Sequence, residues 1–261
     1  RDDFARARVP SAQYFDIDAI ADRASPLKHT LPPARAFAAA MNALGITNED
    51  PVVIYETNGV AFAAARAWWM FKCFGHGNVR VLDGGLPAWK SAGGLPLDEA
   101  EVAREVIDAP GCAAGAAQED GSSQPSSQGY RATLNEALVA SKEDILADLS
   151  KGDARARFLL DARGEGRFKG SEPEVKPGLR SGHIPGSFSM NFNSLLQDGG
   201  LMKSKDALRE SGLFQEAMAR AGEGKVVTAT CGSGVTACVI ALALARFDTA
   251  VAVYDGSWSD W

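Results

Sequence analysis

The sequence predicts an α/β protein made of two copies of one unit, each a mostly parallel sheet flanked by helices. Three observations predict it. Short apolar runs alternate with helical patterns, which favours parallel strands covered on both faces. Segments of the first half return in the second at a fixed distance, and a stretch of small and polar residues from about Ala109 to Gly129 separates the halves.

The repeat is legible residue by residue. Arg8-Val-Pro-Ser-Ala lies 175 residues before His183-Ile-Pro-Gly-Ser, and Pro51-Val-Val-Ile-Tyr-Glu56 stands equally far before Val226-Val-Thr-Ala-Thr-Cys231. Gly59-Val60 and Gly234-Val235 keep that offset, while Asp83-Gly-Gly-Leu-Pro-Ala-Trp89 returns as Asp255-Gly-Ser-Trp-Ser-Asp-Trp261 at an offset of 172. Four pairs in one order indicate a duplication. The expected organisation is a first domain over residues 1–108, a linker over 109–129 and a second domain over 130–261.

In the first unit a helix is expected over Pro33 to Leu44, where Phe37, Met41 and Leu44 form a stripe. Val52 to Tyr55 reads as a strand. An Asn-Gly turn follows, then a helix from about Val60 to Phe74, with Phe62, Arg66, Trp69 and Cys73 at helical spacing and Gly75 as its stop. Val79 to Leu82 is the next strand. In the second unit Ser141 and Asp144 fit a capping signal for a helix over Lys142 to Leu149. Phe158 to Asp161 is a strand entering a polar loop, Val226 to Thr230 another, followed by a tight loop, an Ala-rich helix from Ala237 to about Arg246 and a strand over Ala250 to Tyr254. The counterpart of the Phe158 strand falls before residue 1, so both termini are expected to be truncated relative to a whole pair of units.

Composition narrows the function classes. The 261 residues carry 27 Lys and Arg against 33 Asp and Glu, a net charge of −6, with no sustained basic run, so nucleic acid has no electrostatic footprint. No apolar stretch reaches the 18 or so residues of a membrane span. Four cysteines are too few for a disulfide framework, which favours a reducing compartment, and they lack the paired spacing of a zinc site. No cofactor is expected.

Chemistry is expected at Cys231-Gly-Ser-Gly-Val-Thr236, between an apolar strand and an Ala-rich helix. Its two glycines permit a tight curl of backbone N–H groups, and the helix N-terminus adds positive potential. Such a cradle suits an anion and favours an ionised thiolate. Cys231 therefore reads as a nucleophile, against the alternative of a small buried hydrophobe. Cys238, among Ala, Val, Ile and Leu, reads as packing. The twin loop, Glu56-Thr-Asn-Gly-Val60, keeps the turn but replaces the thiol with a carboxylate, so one unit is active and the other degenerate. A Cys-x5-Arg phosphatase loop is disfavoured because Ala237 stands where the arginine belongs.

These motifs closely resemble the two-domain rhodanese family, specifically its 3-mercaptopyruvate sulfurtransferase branch. The resemblance rests on Cys231-Gly-Ser-Gly-Val-Thr236, Asp161-Ala-Arg163 with Gly166-Arg-Phe-Lys-Gly170, Gly182-His-Ile-Pro-Gly186, Tyr254-Asp-Gly-Ser-Trp258, Phe15-Asp-Ile-Asp18 and Arg66-Ala-Trp-Trp-Met-Phe71. It implies tandem rhodanese-like domains and sulfur transfer from 3-mercaptopyruvate through a Cys231 persulfide, with thioredoxin, a small thiol or cyanide as acceptor and a location in cytoplasm or mitochondrion. Gly232, Ser233, Gly234, Val235 and Thr236 would cradle the transferred sulfur. Arg167 would bind the substrate carboxylate, or else form a structural salt bridge. Lys176 falls where the branch usually has Arg; it would keep the charge without the bidentate fork, with Arg180 compensating, or would lie in a solvated loop. Ser233 would assist the leaving group, in a proton relay with His29 and Asp18 unless those two serve as capping residues. His183 is expected to be structural. Glu172 and Glu174 would set the loop's field or lie in solvent. Competing readings are thiosulfate sulfurtransfer and a non-enzymatic persulfide carrier or regulatory module.

Overall fold

A computed structural model of the chain describes residues 2–93, 95–98 and 129–261. Two compact units emerge, Arg1–Asn135 and Glu136–Trp261.

The first unit runs α1 (Asp2–Arg6), α2 (Ala34–Ala43), β1 (Val52–Ile54), α3 (Phe62–Cys73), β2 (Val79–Val81) and α4 (Gly85–Ser91). Phe37 and Met41 make the buried stripe of α2, while Leu44 is its C-cap. Arg66, Trp69 and Cys73 are buried on α3, which begins two residues later than expected. It ends because Gly75 takes φ +83°, which lets the His76 N–H donate to the Phe71 carbonyl at 2.9 Å. β1 and β2 are parallel, from Val52↔Val79 to Ile54↔Val81.

Residues 130–135 hydrogen-bond to the first unit, although composition groups them with the second half. Tyr130 N–H donates to the Asn42 side chain at 2.6 Å, and Asn135 N–H to the Cys73 carbonyl at 2.7 Å. The expected linker, Gly129 apart, lies outside the described residues.

The second unit runs β3 (Val139–Ala140), α5 (Lys142–Leu149), β4 (Arg157–Asp161), α6 (Glu165–Lys169), β5 (Phe188–Ser189), α7 (Lys205–Arg209), α8 (Gly212–Gly222), β6 (Val226–Thr230), α9 (Ala237–Ala245), β7 (Ala252–Tyr254) and α10 (Ser257–Asp260). Its sheet has the order β3-β7-β6-β4-β5, and every pairing is parallel. The continuous apolar character of β4, β6 and β7 suits strands covered on both faces. On α9 the side chains from Ala237 to Ala241, with Ala243 and Leu244, are buried, so this helix has almost no polar face. Ser141 and Asp144 close a reciprocal capping box on α5. Helices α7 and α8 are additions to the sequence reading; Ser204 and Ser211 open them by accepting from the N–H groups of Ala207 and Phe214.

The topology selects one place for a site. β4 and β6 are neighbours, ending side by side at Asp161↔Thr230. From β4 the chain moves outward to β5, whereas from β6 it moves the other way to β7. Their carboxyl ends therefore flank a topological switch point, where open α/β sheets bind ligands.

Candidate functional site

Cys231 follows β6 directly and is only 2% exposed. Its N–H donates to the Ser257 hydroxyl at 3.2 Å, and its carbonyl accepts from the Trp258 N–H at 3.0 Å. The Gly232 carbonyl accepts from both the N–H (3.0 Å) and the hydroxyl (2.7 Å) of Ser259. The first turn of α10 thus fixes the start of the loop. Ser257 accomplishes this from φ +51°, a left-handed conformation that costs a non-glycine residue on the order of 1–3 kcal/mol. Its hydroxyl also donates to the Tyr254 carbonyl at 2.8 Å. The twin position in the first unit is Gly85, at φ +54°.

Gly234 sits at φ +76° and its twin Gly59 at φ +83°, so the two loops share their tightest bend. One helical turn on, the Cys238 thiol donates to the Gly234 carbonyl at 3.2 Å. Buried Cys238 braces the loop from behind, consistent with a packing residue. Among the described residues, the N–H groups of Gly232, Ser233, Val235 and Thr236 donate to no protein acceptor, and the Ser233 hydroxyl makes no hydrogen bond. Gly232 and Ser233 are partly exposed. The loop that follows Cys231 therefore carries unclaimed donors, as an anion cradle requires.

A charge cluster occupies the carboxyl end of β4. Buried Asp161 accepts from the Arg163 N–H, Nε (3.0 Å each) and Nη2 (2.6 Å). Arg163 also donates through Nη1 to Glu174 Oε1 at 2.6 Å and through Nη2 to the Gly182 carbonyl at 2.8 Å, with its guanidinium 4.4 Å from the Trp258 ring centroid. Burial opposes the Arg163 charge, but the hydrogen bonds and fields of Asp161 and Glu174 outweigh it, and its pKa is raised. The other Glu174 oxygen accepts from Arg167 Nε (3.1 Å) and Nη2 (2.5 Å).

Arg167 reaches the loop as well. A Cβ on Gly232 would stand 3.0 Å from Arg167 Nη2, so the absence of a side chain at 232 leaves room for the guanidinium. Cys231, Gly232 and Arg167 thus belong to one neighbourhood, with Arg167 both salt-bridged and partly exposed. Lys176 is exposed, and among the described residues neither it nor Arg180 hydrogen-bonds to the loop. Arg180 instead donates to the Trp261 carbonyl at 3.1 Å, while its own carbonyl accepts from Trp258 Nε1 at 2.8 Å. His183 stacks on Phe168 at 4.0 Å and contacts the Phe168 carbonyl through Nδ1, a structural role.

For Glu174 the sequence left two readings, setting the loop's field or lying in solvent, and did not identify its partners. A carboxylate between Pro173 and Val175 resembles a solvated loop residue, yet its side chain is 2% exposed because two guanidiniums compensate its desolvation. The available signal was composition: Asp161, Arg163, Arg167 and Glu174 balance in charge within one short stretch.

In the first unit, His29 Nδ1 lies 2.9 Å from Asp18 Oδ1, so the expected pair forms within its own unit. His29 is held in the left-handed region at φ +64°, and its carbonyl accepts from the buried Arg66 guanidinium of α3, which stacks over Trp69.

Glu56 occupies the place of Cys231 in the twin loop and accepts from the Ala64 N–H at 2.9 Å. Burial raises its pKa against the opposing hydrogen bonds from Ala64 and Ala63. A carboxyl raised on folding favours the folded state most below its unfolded pKa, and that stability is lost as pH climbs through the folded value. Melting temperatures measured between about pH 4 and pH 7 should therefore decline with a component that Glu56→Gln removes. An unchanged slope in the variant would show that Glu56 is not its source.

Comparison with known proteins adds independent findings. The rhodanese-like domain family matches residues 1–92 and 141–261. The 3-mercaptopyruvate sulfurtransferase of Homo sapiens is 39% identical over 263 residues, covering 100% of this chain and 79% of the relative. Thiosulfate/3-mercaptopyruvate sulfurtransferase 1, mitochondrial, of Arabidopsis thaliana is 37% identical over 256 residues, covering 98% of this chain and 65% of the relative. The crystal structure of SseA from Escherichia coli, described with the rhodanese fold and mechanism of 3-mercaptopyruvate sulfotransferases, superimposes with a TM-score of 0.73 at 33% identity, covering 98% of this chain and 84% of the other.

Proposed function

From the chain's membership of the rhodanese-like family, as two such domains in tandem, we propose that it is a sulfurtransferase taking sulfur from 3-mercaptopyruvate. The single observation that carries this reading is a thiol at the start of a loop with unclaimed N–H donors, bordered by a guanidinium. The Cys231 thiolate attacks the donor sulfur. A sulfur–sulfur bond forms, the donor's carbon–sulfur bond breaks, and its electron pair leaves on carbon as the enolate of pyruvate, which takes up a proton. An acceptor thiolate then attacks the outer sulfur of the persulfide, and the electron pair of the sulfur–sulfur bond returns to Cys231.

Arg167 supplies donors to the substrate carboxylate, and the N–H groups from Gly232 to Thr236 stabilise the sulfur anion. Lys176 and Arg180 contribute positive charge around entering donors. Thioredoxin or a small thiol is the acceptor, and the protein works in cytoplasm or mitochondrion, a reading favoured by the mitochondrial relative. Donor competition between 3-mercaptopyruvate and thiosulfate, with mass detection of one added sulfur on Cys231, tests the assignment. Stable sulfur loading with a single pyruvate per chain and no further turnover when acceptor thiol is added would replace it with a persulfide carrier.

Thiosulfate is retained as a second donor because the Arabidopsis relative's name joins both. Gly232 has no side chain and that of Ser233 is neutral, which offers little to a dianion, so 3-mercaptopyruvate is the better substrate. Ser233, His29 and Asp18 handle the proton that the carbon leaving group requires and sulfite does not. Ser233→Ala and His29→Asn should each lower turnover of 3-mercaptopyruvate roughly 10²-fold or more and of thiosulfate much less. Asparagine tolerates the left-handed backbone of residue 29. Equal losses with both donors would remove the proton-handling role.

A further inference from the structure

We infer that Glu174 is a positioning residue for donor binding, setting the direction in which Arg167 presents its unused N–H groups. The inference rests on the sulfurtransferase reading and deepens it. Glu174 is a buried carboxylate shared between two arginines with different surroundings. Oε1 takes Arg163, which is locked on its far side by Asp161 and by the Gly182 carbonyl. Oε2 takes the Nε and Nη2 edge of Arg167, whose side chain remains 24% exposed.

A guanidinium has five N–H donors in a rigid plane, and a carboxylate that engages the Nε–Nη2 edge fixes that plane. What remains is the Nη1 group and the outward hydrogen of Nη2. Nη2 is also the atom 3.0 Å from the Cβ position of Gly232, so its outward hydrogen is presented at the loop that bears Cys231. Without Glu174, Arg167 would regain rotamer freedom, and each donor molecule would have to immobilise it on binding. Because Arg163 is anchored to the end of β4 through Asp161, the chain Asp161–Arg163–Glu174–Arg167 transmits the rigidity of the sheet to the substrate contact.

The pair balance of the cluster matters too. Two carboxylates face two guanidiniums before any substrate arrives, so Arg167 recognises its ligand by direction more than by surplus charge. Glu174→Gln retains an oxygen acceptor while removing the charge and one of the two guanidinium-accepting oxygens, whereas Glu174→Ala removes both.

The test is a double-substitution cycle at residues 174 and 167. For 3-mercaptopyruvate, Glu174→Gln should raise KM about tenfold with kcat within about threefold, and the same change made on top of Arg167→Ala should alter KM less than about twofold. Pyruvate affinity measured by titration calorimetry should show the same non-additivity without turnover. Each variant is checked by thermal melting, because the contact with Arg163 gives Glu174 a structural role as well. If the KM effect of Glu174→Gln persists unchanged in the Arg167→Ala background, Glu174 acts through the fold and the inference is overturned. Should Glu174→Ala and Glu174→Gln both fail to fold, Glu174→Asp takes their place in the same cycle. The shorter carboxylate should raise KM by shifting Arg167, and again only when Arg167 is present. Failure of the broader reading has a different signature, since the unaltered protein would then form no more than a single pyruvate per chain.

Discussion

Cys231→Ser is expected to eliminate pyruvate formation from 3-mercaptopyruvate, by more than about 10³-fold, and to leave the fold intact. The hydroxyl is smaller than the thiol and fits in its place, and the hydrogen bonds that hold residue 231 use its backbone, through Ser257 and Trp258, so the substitution breaks no hydrogen bond of the loop. The lost property is chemical. A serine hydroxyl stays protonated at neutral pH, and an oxygen nucleophile does not form the persulfide on which both half-reactions depend. Steady-state kinetics with purified protein should be accompanied by intact-mass analysis after donor treatment: the unaltered chain gains one sulfur, and the serine variant gains none. Substantial residual turnover would show that another group attacks the donor. Cys238→Ser is the internal control, since that thiol is buried in α9 and spends its hydrogen on Gly234.

The second large effect is on stability. Arg163→Ala should destabilise the second unit by about 3–5 kcal/mol, because it strands Asp161 and leaves Glu174 with only Arg167. For a unit of this size, that loss lowers the melting temperature by roughly 10 °C or more. Arg163→Lys should restore part of the loss, as an ammonium keeps the charge but not the fork that reaches Asp161, Glu174 and the Gly182 carbonyl together. Arg220 provides the comparison. Its ion pairs to Glu216 and Glu223 are 40% exposed on the arginine side and screened by solvent, and Arg220→Ala should leave the melting temperature nearly unchanged. Similar losses for the two alanine variants would mean that the cluster at β4 contributes no more than a surface pair.

Those two residues also mark the reach of sequence reasoning. Cys231 was legible because its surroundings follow local rules: an apolar strand, glycines where the chain must curl and a helix afterwards. The same rules placed β4, β6, β7, α5 and α9 to within about two residues, since each is defined by a period or a cap within its own segment. Arg163 was visible as part of a motif, but its partnership with Glu174 joins residues whose spacing obeys no helix or strand period. A carboxylate beside Pro173 resembles a solvated residue until the fold brings two guanidiniums to it. The tether from Ser257 to the Cys231 amide was equally hidden, being made by a residue from beyond the next strand. Helices α7 and α8 had their serine caps in plain view, but their short apolar stripes compete poorly with loop signals.

That tether distinguishes the two copies of the duplicated unit. Holding the Cys231 amide requires a side-chain oxygen at a backbone angle most residues avoid, so position 257 admits few alternatives while the thiol is in use. Where Glu56 stands in the place of the thiol, the corresponding residue is Gly85, which takes the same angle without strain and has no side chain to make the tether. Cysteine goes with serine in one copy and carboxylate with glycine in the other, so the two loops differ twice, once at the residue that opens them and once at its distant support.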